Sequence, residues 1–253
     1  MAKIYLINVG ANTSHSSKVR SPIFLDDLSW IYLAFPRINK NEDGQAYPSS
    51  TQPYQRVANG IKCHLDPDWD GLTYGDSCYE PRSKSLLRVK ENDVLLFWGL
   101  LWGIQRGGYV FGSKDKRWYL LGAMRVDRFY EAGTKLDSIP TDIRRRVEQN
   151  AHVRDGRVGS RTGEVVFVAD QDPRRSRRFT RAIDLGVGDD RSLMHRIVKT
   201  SDGRNVSWNG KPRWYSVTRA CRAILDVEKK ADFETATLLA RHIKNENEGF
   251  QLI

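Results

Sequence analysis

The sequence predicts an α+β protein. We expect a mixed, mostly antiparallel β-sheet, or a small barrel built from the same strands, with flanking helices and a helical C-terminal region. Three observations predict it. Apolar, branched and aromatic runs of strand length dominate the chain up to Asp170. Two of the longest, "DVLLFWGLLW" and "RWYLLGAMRVDRFYEAG", flank a glycine-containing break, the pattern of a hairpin. Helical periodicity is concentrated after Pro140 and towards the C-terminus, so strands come first and helices follow.

Element by element, "KIYLINVGAN" is apolar and branched, a buried first strand that runs into the polar loop Gly10–Pro22. That loop contains neither GxGxxG nor GKS/T, so the Gly-rich phosphate cradles are excluded. Trp30–Ile38, "WIYLAFPRI", reads as a second strand ended by Pro36, and residues 39–59 as a polar surface excursion. "SKSLLR" resembles a short helix or turn, followed by a buried strand over Asp93–Trp102 and its partner over Arg117–Gly133. "SIPTDIRRRVEQNAHV" is a helix, with Ile143 and Val147 at helical spacing and Thr141 or Asp142 as the cap. "GEVVFVAD" is a short buried strand, and "VTRACRAILDVEKKADFETATLLARHIKNE" carries the spacing of one or two amphipathic helices. We divide the chain into an α+β unit over residues 1–185 and a helical extension over 186–253, packed on the same unit.

Composition narrows the partners. The 41 Lys+Arg against 31 Asp+Glu give a formal charge of +10, which favours polyanions. The excess lies in Ile143–Gly163 and Asp172–Arg181, making Arg144, Arg145, Arg174, Arg175, Arg177 and Arg178 candidates for nucleic-acid contact; a solvated basic face is the plainer reading. No apolar run of about 18 residues exists to span a membrane. The N-terminus lacks the apolar core of a signal peptide, and Cys63, Cys78 and Cys221 have no CxxC spacing, so the expected address is the cytoplasm.

The chemistry is densest in "KCHLDPDWDGLTYGD", Lys62–Asp76. Three readings compete there. Asp-Pro and Asp-Gly are turn dipeptides whose carboxylates bond their own backbone. His-x-Asp-x-Asp could gather on a cation, but Pro67 interrupts it and no second motif completes a ligand set, so we expect no metal and no cofactor. The third reading makes His64, Asp66 and Asp76 acid–base or base-recognition groups, with Trp69 or Tyr74 stacking on a base. Cys78, near Arg82, is a conceivable nucleophile, although a small buried residue is the commoner role. In the first loop, Asn8, Ser14, His15, Arg20 and Ser21 suit a phosphate or sugar, and equally suit an exposed loop. Asn150 and His152 lie at the expected end of a helix.

Taken together, "YLINVGANTSHSSKVRSPIF", "HLDPDWDGLTYGD", "LLRVKENDVLLFWGLL", "WYLLGAMRV" and "NAHV" resemble the nucleotide modification associated domain 3 family of bacteria and phages. Such proteins are linked to DNA-modification and phage-defence gene clusters, so the resemblance implies a DNA or nucleotide substrate and partner proteins from such a cluster. By position, it implies roles for Asn8, Ser14, His15, Arg20, Ser21, His64, Asp66, Asp68, Thr73, Tyr74, Gly75, Asp76, Asn150 and His152. One departure is Asn92-Asp93 where such domains tend to have Gly-Asp; Asn tolerates the left-handed turn. The two long strands also resemble pseudouridine-synthase-and-archaeosine-transglycosylase-like barrels and the EVE and ASCH domains, an analogy of fold only. The expected function is a DNA nucleobase or nucleotide modification enzyme, for instance one hydrolysing or hydrating a side group of a 7-deazaguanine-type base. A non-catalytic reader of modified bases and a metal-dependent nuclease on Asp66, Asp68 and Asp76 are the alternatives.

Overall fold

The computed structural model describes residues 2–10, 19–36, 45–57, 61–78, 83–159, 162–186, 207–208, 211–212 and 223–253. In chain order its strands are β1 (Lys3–Asn8), β2 (Pro22–Phe24), β3 (Gln45–Ala46), β4 (Lys62–Cys63), β5 (Thr73–Ser77), β6 (Val94–Ile104) and β7 (Lys116–Glu131). Helix α1 (Thr141–Glu148) precedes β8 (Val153–Arg154), β9 (Arg157–Val158), β10 (Glu164–Ala169) and β11 (Arg177–Asp184). The short hairpin β12 (Ser207–Trp208) and β13 (Lys211–Pro212), then β14 (Ala223–Asp226) and helix α2 (Lys230–Glu246), complete the set.

Eight strands form one mixed, mostly antiparallel sheet in the order β14-β1-β6-β7-β10-β5, with β2 added to β6 and β11 to β7. The sheet is open, so the strands make a curled α+β sheet and not the closed barrel that was the second option. The β6–β7 hairpin is its centre, registered from Val94 opposite Arg125 to Trp102 opposite Lys116. Only β1 and β2 run parallel to β6, on its first and last residues. Every residue of β6 is buried, because both faces are covered; this is why it reads as an unbroken apolar run.

Alternation along β6 and β1 divides the interior. Ile4, Leu6, Leu96, Trp98, Leu100 and Trp102 face α2, through its Ala236, Leu239 and Ile243. Tyr5, Ile7, Leu95, Phe97 and Leu101 face the opposite way, towards Trp30, Tyr74 and Phe167. A third cluster joins Ile143 and Val147 of α1 to Val166 and Val168 of β10.

Several sequence expectations change. Trp30–Pro36, the described part of the expected strand Trp30–Ile38, is no strand: its backbone makes single bridges at Trp30 to Ile23 and at Pro36 to Cys63, with Pro36 unable to donate to a ladder. Helix α1 has Pro140 at its N-cap without a side-chain cap, so Thr141 and Asp142 lie inside the helix. The first described part of the supposed C-terminal helix, Ala223–Asp226, is β14, which pairs with β1 in the main sheet. Asn92 does take the left-handed conformation, with φ 70°. Asp93 beside it accepts the backbone N–H of Lys3 at 2.7 Å and of Lys90 at 2.8 Å, tying the turn to β1.

Strand β11 slips register against β7 between Arg178 and Ile183. Buried Asn247, just after α2, fills the gap. Its Oδ1 accepts the N–H groups of Thr180 and Arg181 at 2.9 and 3.3 Å, and its Nδ2 donates to the Arg181 carbonyl at 3.0 Å.

Candidate functional site

The site is built on the edge strand β5. Register places Thr73 opposite Val168 and Gly75 opposite Val166, on the face covered by α1; Tyr74 sits opposite Phe167, on the other face. The buried Val147 anchors the end of α1, and the following turn brings Asn150 and His152 onto that face. Asn150 Nδ2 donates to Thr73 Oγ1 at 3.0 Å, and Asn150 Oδ1 accepts the His152 N–H at 2.9 Å. Gly75 is required by this approach: a Cβ there would lie 2.5 Å from His152 Cδ2 and 2.7 Å from Asn150 Oδ1.

The turn before β5 delivers the acid. Asp68 and Thr73 exchange backbone hydrogen bonds of 2.9 and 3.1 Å, and Asp68 Oδ1 accepts the N–H groups of Asp70 and Gly71, both at 3.1 Å. That is the Asp-based turn the sequence offered, and it sends residues 64–68 back towards β5. Arg146 of α1 braces it, donating to the carbonyls of Gly71, Leu72 and Ala169 at 2.7, 3.2 and 2.8 Å. Asp66 Oδ1 then takes the Gly75 N–H at 2.9 Å, while Oδ2 stands 3.5 Å from His152 Nε2. The Tyr32 hydroxyl donates to the Asp66 carbonyl at 2.5 Å and takes a hydrogen bond from the Gly10 backbone, linking the site to the end of β1. His64 is fixed by its N–H to the Phe35 carbonyl at 3.0 Å. Its ring stacks on Phe35 at 4.9 Å and meets the His152 ring edge-on at 5.0 Å.

Ligand-type atoms of His64, Asp66 and His152 consequently all lie within 4.8 Å of one another. Sequence reasoning named each residue but found no ligand set, because the third member is brought in by α1 from elsewhere in the chain. Asp66 is 7% exposed. Burial pushes its carboxyl up to about 6, against the opposing hydrogen bond and charge of His152 and the Gly75 N–H. Burial alone would lower His152, but the hydrogen bond and charge of Asp66, with the charges of Asp76 and Glu164, hold it above its usual value.

Other sequence candidates sit elsewhere. Tyr74 is buried against Phe97 and Phe167 and donates to Asp76 Oδ2 at 2.7 Å, while the Asp76 charge acts on both Asp66 and His152. Cys78 is 0% exposed within the second core cluster, its Sγ 3.9 Å from the Asp76 carbonyl. Trp69 lies over Gly122, whose Cβ would come within 2.5 Å of the indole, and meets Phe97 edge-on; it packs where a base was expected to stack. Asn8 donates to the Trp98 carbonyl at 3.4 Å, and Ser21 accepts the Leu33 N–H at 3.0 Å. Arg20 donates to the Phe111 carbonyl at 2.9 Å and lies over Trp102 and Phe111. Ser14, His15 and Arg82 lie outside the described residues.

The basic candidates are engaged locally. Arg174 and Arg175 reach Asp172 and Asp170 at 2.8 and 3.3 Å. Arg177 donates to the carbonyls of Asn247 and Glu248, and Arg178 to that of Trp30, whose ring it covers. Arg144 donates to the carbonyls of Asp137 and Ile139; Arg145 is exposed on α1.

A cleft of about 730 Å³ opens beside the site, with Leu87, Glu131, Arg154, Arg157, Thr162 and Glu164 in its walls. It adjoins His152 through Gly159, whose N–H donates to the His152 carbonyl at 2.7 Å. Arg154 and Arg157 are part of the basic stretch visible in the sequence; the hairpin that turns them into one cleft is not.

Among the described residues, no helix is long and apolar enough to cross a membrane. No curated protein and no solved structure matches the chain. The model of one family, described as nucleotide modification associated domain 3, matches residues 3–233, nearly the whole sequence. With that span matched, the chain belongs to the nucleotide modification associated domain 3 family, and its role is one associated with nucleotide modification.

Proposed function

We propose that the chain is an enzyme that alters a nucleobase in DNA or in its nucleotide precursor, working at His64, Asp66 and His152. One observation carries the reading: two imidazoles and a buried carboxylate, drawn from separate parts of the chain, converge within 4.8 Å. Their supports favour the same view. Gly75, Asn150, Phe35 and Tyr32 each hold one member of the trio in place. In this reading the trio acts on the reacting group, and Arg154 and Arg157 in the adjoining cleft receive phosphate. Hydrolysis or hydration of a side group on a 7-deazaguanine-type base, within a DNA-modification gene cluster, is the specific version we favour. Cys78 has no part in it, and Asn150 is a positioning residue because its amide is already bonded to Thr73 and His152.

The test is to incubate the protein with modified and unmodified DNA, digest to nucleosides and weigh them. A changed nucleoside mass that disappears in His64→Gln and Asp66→Asn supports the proposal. Tight binding with unchanged masses would refute it in favour of a non-catalytic reader, and strand cleavage would refute it in favour of a nuclease.

A further inference from the structure

We propose that His64, Asp66 and His152 are the protein ligands of a divalent first-row transition-metal ion, in a site of the open, catalytic kind. This deepens the proposed function, since it rests on reading the trio as the reaction centre. The donor set comes first. Two imidazole nitrogens and one carboxylate oxygen suit zinc, iron(II), cobalt(II) or manganese(II), whereas magnesium and calcium prefer all-oxygen shells. Three protein ligands leave positions for water or substrate, as catalytic zinc and non-haem iron sites do.

The spacing fits with a small adjustment. Bonds of about 2.1 Å in tetrahedral geometry separate donor atoms by about 3.4 Å. Asp66 Oδ2 and His152 Nε2 are already 3.5 Å apart. The widest separation in the trio is no more than 4.8 Å. His64 is only half-buried and lies just past the β3–β4 ladder, where Cys63 pairs with Gln45.

The surroundings are those of held ligands. Asp66 Oδ1 accepts the Gly75 N–H, which leaves Oδ2 for the two rings. His152 is oriented through Asn150 and by the absent side chain of Gly75, and His64 through Phe35. A simple Asp66–His152 ion pair accounts for two of these groups. It does not account for a second imidazole, separately supported and brought edge-on to the first. A shared cation would engage all three donor atoms at once.

The experiment is a titration of the full-length protein, stripped with a chelator, with cobalt(II) alone. We expect one ion per chain, visible as ligand-field absorption, and a rise in thermal midpoint. His64→Gln and His152→Gln should each weaken binding by at least about tenfold with the circular-dichroism spectrum unchanged. Cys78→Ser should bind like the wild type, excluding a thiolate site. His64→Gln is the decisive variant, because a half-buried residue outside any ladder is replaceable without unfolding. Failure of the folded wild type to bind cobalt(II), or binding undiminished in both histidine variants, would overturn the site. The two proposals separate cleanly. Nucleoside conversion that persists in the chelated protein sinks the metal and keeps the enzyme; stoichiometric cobalt(II) with no conversion keeps the metal and sinks the enzyme.

Discussion

Replacing Gly75 with alanine tests the geometry of the site through one methyl group. The new Cβ would stand 2.5 and 2.8 Å from Cδ2 and Cγ of His152 and 2.7 Å from Asn150 Oδ1. Real carbon contacts begin near 3.4 Å, so the ring must withdraw by roughly 1 Å or the edge of β5 must bow. Gly75 is not among the residues with positive φ, so the substitution carries no backbone strain and the cost is steric. Overpacking of this kind costs about 1–3 kcal/mol, and the reduced freedom of the unfolded chain returns up to about 1 kcal/mol. A net loss of about 1–2 kcal/mol lowers the thermal midpoint by about 2–8 °C in a chain of this size. Urea denaturation of Gly75→Ala, His152→Ala and the double variant measures it. With the imidazole gone, most of the clash goes too, leaving the Asn150 contact, so the cycle should show a coupling of at least about 0.5 kcal/mol. Additive single effects would mean that the methyl does not meet His152, and the placement of the α1 turn on β5 would be wrong.

Three further substitutions probe other supports. Cys78→Ala should cost about 1–2 kcal/mol of stability by urea denaturation, from the small void left in the core, with nucleoside conversion within about twofold of wild type; loss of conversion with retained fold would restore the thiol as nucleophile. Arg146→Leu strips the donors from the carbonyls of Gly71, Leu72 and Ala169 and should lower the urea midpoint by about 2–4 kcal/mol in free-energy terms, with the slope unchanged. Tyr32→Phe removes the hydrogen bond to the Asp66 carbonyl, worth about 1 kcal/mol in the same assay. It should weaken cobalt(II) binding by less than Asp66→Asn does, since it acts on the backbone of a ligand and not on the ligand itself.

The central hairpin was readable because its information is local: an unbroken apolar run, a glycine-rich break and a second run are what a strand buried on both faces requires. The turn from Asp68 to Thr73 was readable for the same reason, as carboxylates bonding their own backbone. His64, Asp66 and His152 were each singled out, two from a dense motif and one through family resemblance. Their meeting was not readable, because it depends on the register of β5 against β10 and on where α1 ends. Tyr74 and Trp69 were read as stacking groups from their polar neighbours, and their packing rests on contacts the sequence does not display. Strand alternation turns Tyr74 inward beside Phe167, and the missing side chain at Gly122 makes room for the Trp69 indole. Tyr32 and Phe35 were taken for the interior of a strand; their work as supports for Asp66 and His64 rests on contacts with residues remote in sequence.

Asn247 has a consequence for how the protein behaves among its own copies. Where β11 slips against β7, the backbone between Arg178 and Ile183 drops out of the ladder, and strand backbone left unpaired recruits strands from other molecules. The Asn247 amide answers them as a piece of neighbouring strand would, and Arg177 and Arg174 bind the tail that follows through the carbonyls of Asn247 and Glu248 and the N–H of Gln251. On this reading the segment after α2 guards against intermolecular β-pairing. Asn247→Ala should reveal this as concentration-dependent self-association at temperatures where the site itself is still intact.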